Sequence, residues 1–177
     1  MTDRPAIMTE PPAWIAIPAL VIGLGNYGRG DDAAGLLAAR RVREARLPHV
    51  PVFLCPGDCS RLLEMWSGAE HVLLIDAVSS GADAGTMHKW DLKSGRLESS
   101  WFSVSTHAFT LLDAIALAKA LKQVPENLWI YGIEGRQFRV NGEISPEVQS
   151  AIETVAQRVV ADIQEIIQKH GNSMSTE

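Results

Sequence analysis

Two periodicities alternate along the chain. Short, unbroken apolar runs occur at Ile17–Leu24 (IPALVIGL), Val50–Cys55 (VPVFLC), His71–Val78 (HVLLIDAV) and Leu128–Gly135 (LWIYGIEG). Runs of this length without polar alternation predict strands covered on both faces, as in a parallel sheet. Between them the apolar positions fall at helical spacing. Asp31–Arg46 opens with acids and closes with arginines, the polarity that a helix dipole favours. Asp58–Gly68 predicts a short helix with Asp58 as N-cap and Gly68 at its end. The segment STHAFTLLDAIALAKAL predicts a helix that starts at Ser105 or Thr106. In the last helix Ser145 is the N-cap and Pro146 the first helical residue, with Val148, Ile152, Val155, Val159, Ile163 and Ile166 on one face. GTMHKWDL reads as an edge strand, and Leu92–Val104 fits no pattern.

This alternation predicts an α/β fold: a three-layer sandwich with a mostly parallel, doubly wound twisted sheet of about five strands and helices on both faces. At 177 residues, 46% of them hydrophobic, the chain suits one domain with a substantial core. Residues 1–13, rich in proline, are expected to be a flexible lead-in, 14–170 a single domain and 171–177 a flexible polar tail. A net charge of -5 gives no basic footprint for nucleic acid or anionic lipid. No apolar run is long enough to span a bilayer. Cys55 and Cys59 lack the second pair that a structural zinc site needs, and read as two reduced thiols of a cytoplasmic protein.

The chemistry concentrates at the first turn. Gly23, Gly25 and Gly28 spell G-x-G-x-x-G after the first strand, the spacing of a dinucleotide-binding turn. Such a turn offers backbone N–H groups to a diphosphate. Here the same helix start carries Asp31 and Asp32, each of which would repel a phosphate by on the order of 1 kcal/mol. The second strand also ends in Cys55-Pro56-Gly57 where a ribose-binding acid is expected. Nucleotide binding is therefore disfavoured.

Ligands of such sheets lie beyond the carboxyl ends of the strands. Asp76 ends the apolar third strand, and His107 follows the irregular segment. With Asp32 they form two carboxylates and an imidazole, a donor set suited to a divalent transition ion. Alternatives stay open for each: Asp31 and Asp32 as helix-start acids, Asp76 as a turn residue, His107 as a first-turn residue. Asp31 is read as a helix cap in preference to a water-orienting group. Glu134 either lines the crevice or is exposed, and Trp101-Phe102 is either core or a lip of the cleft. His49, His71, His88 and His170 read as surface or structural residues. Neither G-x-S-x-G nor H-E-x-x-H occurs.

Taken in order, Gly23-Leu24-Gly25-Asn26, Asp31-Asp32-Ala33-Ala34-Gly35, Ile75-Asp76-Ala77, Ser105-Thr106-His107 and Gly132-Ile133-Glu134 resemble the hydrogenase maturation endopeptidases. The resemblance runs from Val21 to the last helix. It implies an endopeptidase that removes a C-terminal extension from the precursor of a [NiFe]-hydrogenase large subunit once nickel is inserted. It places the nickel-contacting, catalytic residues at Asp32, Asp76 and His107, with nickel supplied by the precursor. No conventional serine or cysteine nucleophile is evident, and a monomer suffices for the task. Ala33 stands where the family commonly has glycine, and Gly135 where many members have proline. The competing functions are a non-proteolytic chaperone that binds nickel and the precursor, and a nucleotide-binding Rossmann-like protein.

Overall fold

The computed structural model describes residues 17–94, 97 and 110–174. Strand β1 (Ile17–Gly25) leads through a short 3-10 helix (Gly30–Ala33) into α1 (Ala34–Glu44). Then follow β2 (Val52–Pro56), α2 (Leu62–Met65), β3 (Ala69–Val78), β4 (Met87–Asp91), α3 (Leu111–Leu121), β5 (Asn127–Glu134) and α4 (Pro146–Met174). The five strands form one sheet in the order β2-β1-β3-β5-β4. All neighbours run parallel except β4, which lies antiparallel on β5 at the edge.

Alternation along each strand divides the core into two layers. Ala19, Val21, Leu73, Ile75, Tyr131 and Ile133 face α1 and α4. Leu20, Ile22, Val72, Leu74, Leu128 and Ile130 face α2 and α3. This is the expected doubly wound sandwich, with helices on both faces. The six apolar positions read on one face of α4 are all buried, so the helical period of that segment directly specified its packing.

Strand order makes β1 the switch point, with β2 on one side and β3 on the other. The register sets Gly23 beside Ile75 and Gly25 beside Pro56, and Val78 beside Glu134. The glycine turn, Asp76 and Glu134 therefore share the carboxyl edge of the sheet.

Four helix boundaries differ from expectation. Asp31 and Asp32 lie in the 3-10 segment rather than in α1, which begins at Ala34. Helix α2 is a single turn with Arg61 at its N-cap position and no side-chain capping bond; Asp58 instead accepts the Ser60 N–H at 2.7 Å, a local turn that competes with helix. Helix α3 starts at Leu111. Its N-cap is Thr110, whose hydroxyl accepts the Asp113 N–H at 3.2 Å while Asp113 accepts the Thr110 N–H at 2.9 Å. The expected start at Ser105 or Thr106 lies outside the described residues; in the sequence neither has an acid three residues on, as this capping box requires. Helix α4 continues through Gly171 to Met174, part of the segment expected to be a tail. Among the described residues no helix is long and apolar enough to cross a membrane.

Candidate active site at the carboxyl edge of the sheet

The glycine turn is shaped for close packing. A Cβ at Gly23 would come 2.5 Å from both the Ala39 Cβ and the Gly35 carbonyl oxygen. Gly25 has φ +130°, and a side chain there would overlap the Asp32 carbonyl. Gly35 lies directly over the carbonyl oxygens of Ile75 and Leu24. These glycines seat α1 on β1 and β3, whereas a Cβ at Gly28 would make only an ordinary contact, 3.5 Å from the Asn26 Oδ1. The turn is equally unsuited to holding an anion, because most of its amides are already engaged. Asn26 N–H donates to Asp32 O, Gly28 N–H to Asn26 Oδ1, Arg29 N–H to Asn26 O, Asp31 N–H to Gln137 O and Asp32 N–H to Arg29 O. The motif spacing therefore reflects packing, not a phosphate cradle.

The two adjacent aspartates point to different tasks. Asp31 is completely buried. Its Oδ2 accepts the Arg136 N–H at 2.7 Å, the Gln137 N–H at 2.9 Å and the Ser145 hydroxyl at 2.8 Å. Its Oδ1 accepts the Ser145 N–H at 2.6 Å. The reading of Asp31 as a cap of its own helix is thus replaced. It clamps the segment between β5 and α4, more than a hundred residues away in sequence. Ser145, expected as the α4 N-cap, turns its hydroxyl to Asp31.

Asp32 lies one residue on, 3% exposed, with its Oδ2 3.9 Å from Arg29 Nε. Asp76 is buried at the end of β3, its Oδ1 accepting the Ala77 N–H at 2.9 Å. Burial pushes the Asp76 carboxyl up to about 8, the negative charge of Asp32 adds to the shift, and the Ala77 N–H opposes it. Asp32 and Asp76 are therefore electrostatically coupled in one corner. His107 falls outside the described residues, three positions before the α3 N-cap. Among the described residues no group of three or more His, Cys, Asp or Glu is arranged to hold a metal ion. The two coupled carboxylates supply hard oxygen donors whose mutual repulsion a divalent cation would relieve, so the donor chemistry fits such an ion.

Cys55 and Cys59 are both buried and free, at the end of β2. They hydrogen-bond to each other, and Cys55 also donates to the Asp58 carbonyl at 3.4 Å. The bond to Cys55, then burial, keep Cys59 a protonated thiol. The bond with Cys59 lowers the Cys55 thiol, and burial opposes that shift.

Glu134, left open between crevice and surface, is buried at 1% exposure. It accepts the amides of Ser80 and Gly81 at 2.8 and 2.9 Å, the Ser80 hydroxyl at 2.8 Å, and lies 3.1 Å from His88 Nε2. It fixes the loop that leaves β3, and His88, stacked on Trp90, is structural as expected. His71, 3.1 Å from the Pro18 carbonyl, lies at the opposite edge. A further buried acid, Asp162, is held by Tyr131, Lys89 and Arg158 within the α4 packing. Trp101-Phe102 lies outside the described residues.

A sequence profile described as "Hydrogenase maturation protease" (HycI) matches residues 58–162. The chain belongs to the hydrogenase maturation protease family. As a family member it is an endopeptidase-type enzyme, and the nucleotide-binding alternative falls away. The matched stretch contains Asp76 and position 107 but starts beyond the glycine turn and Asp32. No curated protein sequence matches the chain.

Solved structures share the fold. The solution structure of an endopeptidase from Escherichia coli superposes with TM-score 0.70 at 24% identity, covering 83% of this chain and 92% of that one. The maturation protease HycI from Thermococcus kodakarensis gives 0.63 at 24% identity, covering 85% and 92%. The maturating endopeptidase HybD from Escherichia coli gives 0.62 at 21%, covering 83% and 92%.

Proposed function

We propose that this maturation protease cleaves a C-terminal extension from the precursor of a [NiFe]-hydrogenase large subunit, and that Asp32, Asp76 and His107 engage nickel already carried by that precursor. The carrying observation is the coupled pair Asp32 and Asp76 at the carboxyl edge of the sheet. Two buried carboxylates in one corner repel each other until a cation arrives or one of them takes a proton. Asp76, pushed up to about 8, takes the proton at neutral pH. Arrival of the substrate's metal displaces that proton, so engagement is linked to proton release.

An incomplete, partly protonated donor set holds a free ion weakly. It gains affinity when the ion comes with ligands and peptide attached. This supports nickel as a recognition element brought by the substrate instead of a resident cofactor.

The test is mass spectrometry of nickel-loaded precursor before and after incubation. Wild-type protein is expected to remove the C-terminal segment, and Asp32→Ala, Asp76→Ala and His107→Ala to leave the mass unchanged, as is wild type on nickel-free precursor. Full processing by the three variants would remove the site assignment. Tight precursor binding by wild type with no mass change would identify a chaperone instead.

A further inference from the structure

The segment 136–142 is a loop held unusually firmly. Its first two amides bond to Asp31, Gln137 O accepts the Asp31 N–H at 2.9 Å, and the Asn141 N–H donates to Gly28 O at 2.8 Å. Gln137 Nε2 donates to Glu143 O at 2.6 Å, Gly142 N–H closes on Arg139 O at 3.0 Å, and Phe138 packs into the core beneath Gly135. Yet this tethered loop presents Val140 at 67% exposure, and the turn it is bonded to presents Tyr27 at 49%.

A single exposed valine needs no explanation. Two apolar side chains on mutually bonded, rigid loops beside the Asp32 corner are a different case. A preorganised apolar lip loses little entropy on binding, and tyrosine and arginine are the residues that most often dominate protein contacts. Exposed Arg136 and Arg139 precede Val140 in the same loop and line a groove of about 580 Å³ with Gln137, Phe138, Ser145 and Pro146. Arg29 borders the acid corner itself. Arg136 pairs with Glu147 at 3.2 Å and Arg139 donates to Gln137 Oε1 at 3.1 Å, each bond using one of a guanidinium's five N–H donors, and Glu143 is exposed at the loop's far end. In a chain of net charge -5, this edge therefore pairs a carboxylate centre with a guanidinium rim.

We infer that the 136–142 loop together with Tyr27 is a docking lip for the precursor polypeptide, and that it takes a segment in which an acidic residue neighbours an apolar one. The charge order supplies the complementarity: the cation-bearing part of the substrate meets Asp32 and Asp76, and its acidic flank meets Arg136 and Arg139. Val140 and Tyr27 cover the apolar neighbour. The inference rests on the proposed precursor cleavage, because it is that substrate which the lip would orient.

The experiment is steady-state cleavage of nickel-loaded precursor by Arg136→Glu/Arg139→Glu, by Val140→Asp, and by Lys93→Glu as an exposed control at the opposite edge. The lip variants are expected to raise KM roughly tenfold or more with kcat within about twofold. The arginine double variant is expected to flatten the rise of KM with salt, while Lys93→Glu matches wild type. Arg139→Lys, which keeps the charge, is expected to recover part of the loss. A KM within about twofold of wild type for both lip variants overturns the inference while leaving precursor cleavage intact. Should wild type fail to cleave, the functional reading fails, and biolayer interferometry of the same variants on immobilised precursor decides the lip separately. Binding roughly tenfold weaker than wild type supports it, and equal binding overturns it. All lip positions are exposed, so unchanged thermal melts are expected to show that the variants fold.

Discussion

Replacing Asp31 by asparagine keeps the side-chain volume but removes a charge and half of the acceptor capacity. In the native protein the carboxylate receives four donors, three at Oδ2 and one at Oδ1. Asparagine has a single oxygen. Its best placement is at the Oδ2 position, which leaves its NH₂ facing the buried Ser145 N–H, donor against donor. Stranding that amide costs about 1–3 kcal/mol. The three surviving bonds fall from charge-assisted to neutral strength, roughly halving each. The sum is about 3–7 kcal/mol, a large share of the roughly 5–15 kcal/mol that stabilises a domain. Urea unfolding followed by far-ultraviolet circular dichroism measures the loss. Hydrogen exchange at Arg136, Gln137 and Ser145 locates it, and these three amides are expected to lose protection before those of β1 and β3. A loss below about 1 kcal/mol, with the three amides as protected as in wild type, would refute the clamp.

Two further outcomes follow from the same edge. Asp76 holds a proton up to about pH 8 in the folded protein but only to an ordinary carboxyl value, near 3.8, when unfolded. Its contribution is therefore complete at low pH and is lost as pH rises through that window. Relative to Asp76→Asn, wild type is expected to lose roughly 3 kcal/mol between about pH 5 and 7, and urea titrations that stay parallel across this range would contradict it. At Gly35 an added methyl meets the carbonyl oxygens of Ile75 and Leu24, which are fixed in β3 and β1. Gly35→Ala is expected to cost at least about 2 kcal/mol, and an unchanged urea midpoint would show that α1 can lift away freely.

Strands and α4 were legible because their signal is periodic and local. Unbroken apolar runs mark strands buried on both faces, and the six apolar positions of α4 follow its turn. The choice between Asp31 and Asp32 was not legible in the same way. Neighbouring positions have the same composition, and what separates them is which one faces the chain between β5 and α4, a fact that appears only once both ends of the sequence are folded together. Glu134 was ambiguous for a related reason. Its burial depends on amide donors from the loop after β3, not on its own strand. One cue was available: Thr110 precedes Asp113 by three residues, a capping pair that identifies the true start of α3. The glycine pattern misled only in its usual meaning. Its spacing marks a tight strand-to-helix turn, and the acids beside it already spoke against phosphate.

Strand β4 follows β3 in the chain yet pairs with β5 alone, and this fixes an order of assembly. As the polypeptide emerges from a ribosome, β1, β2 and β3 can join early, but β4 has no template until α3 and β5 have been made. Until then one hydrogen-bonding edge of the apolar β3 stays uncovered, the kind of surface through which unfinished chains associate. The donors that hold Asp31 come later still, from residues 136–145. A ribosome must therefore complete nearly the whole sequence before the acid corner acquires its shape, and a shortened translation product would carry both aspartates without forming the site.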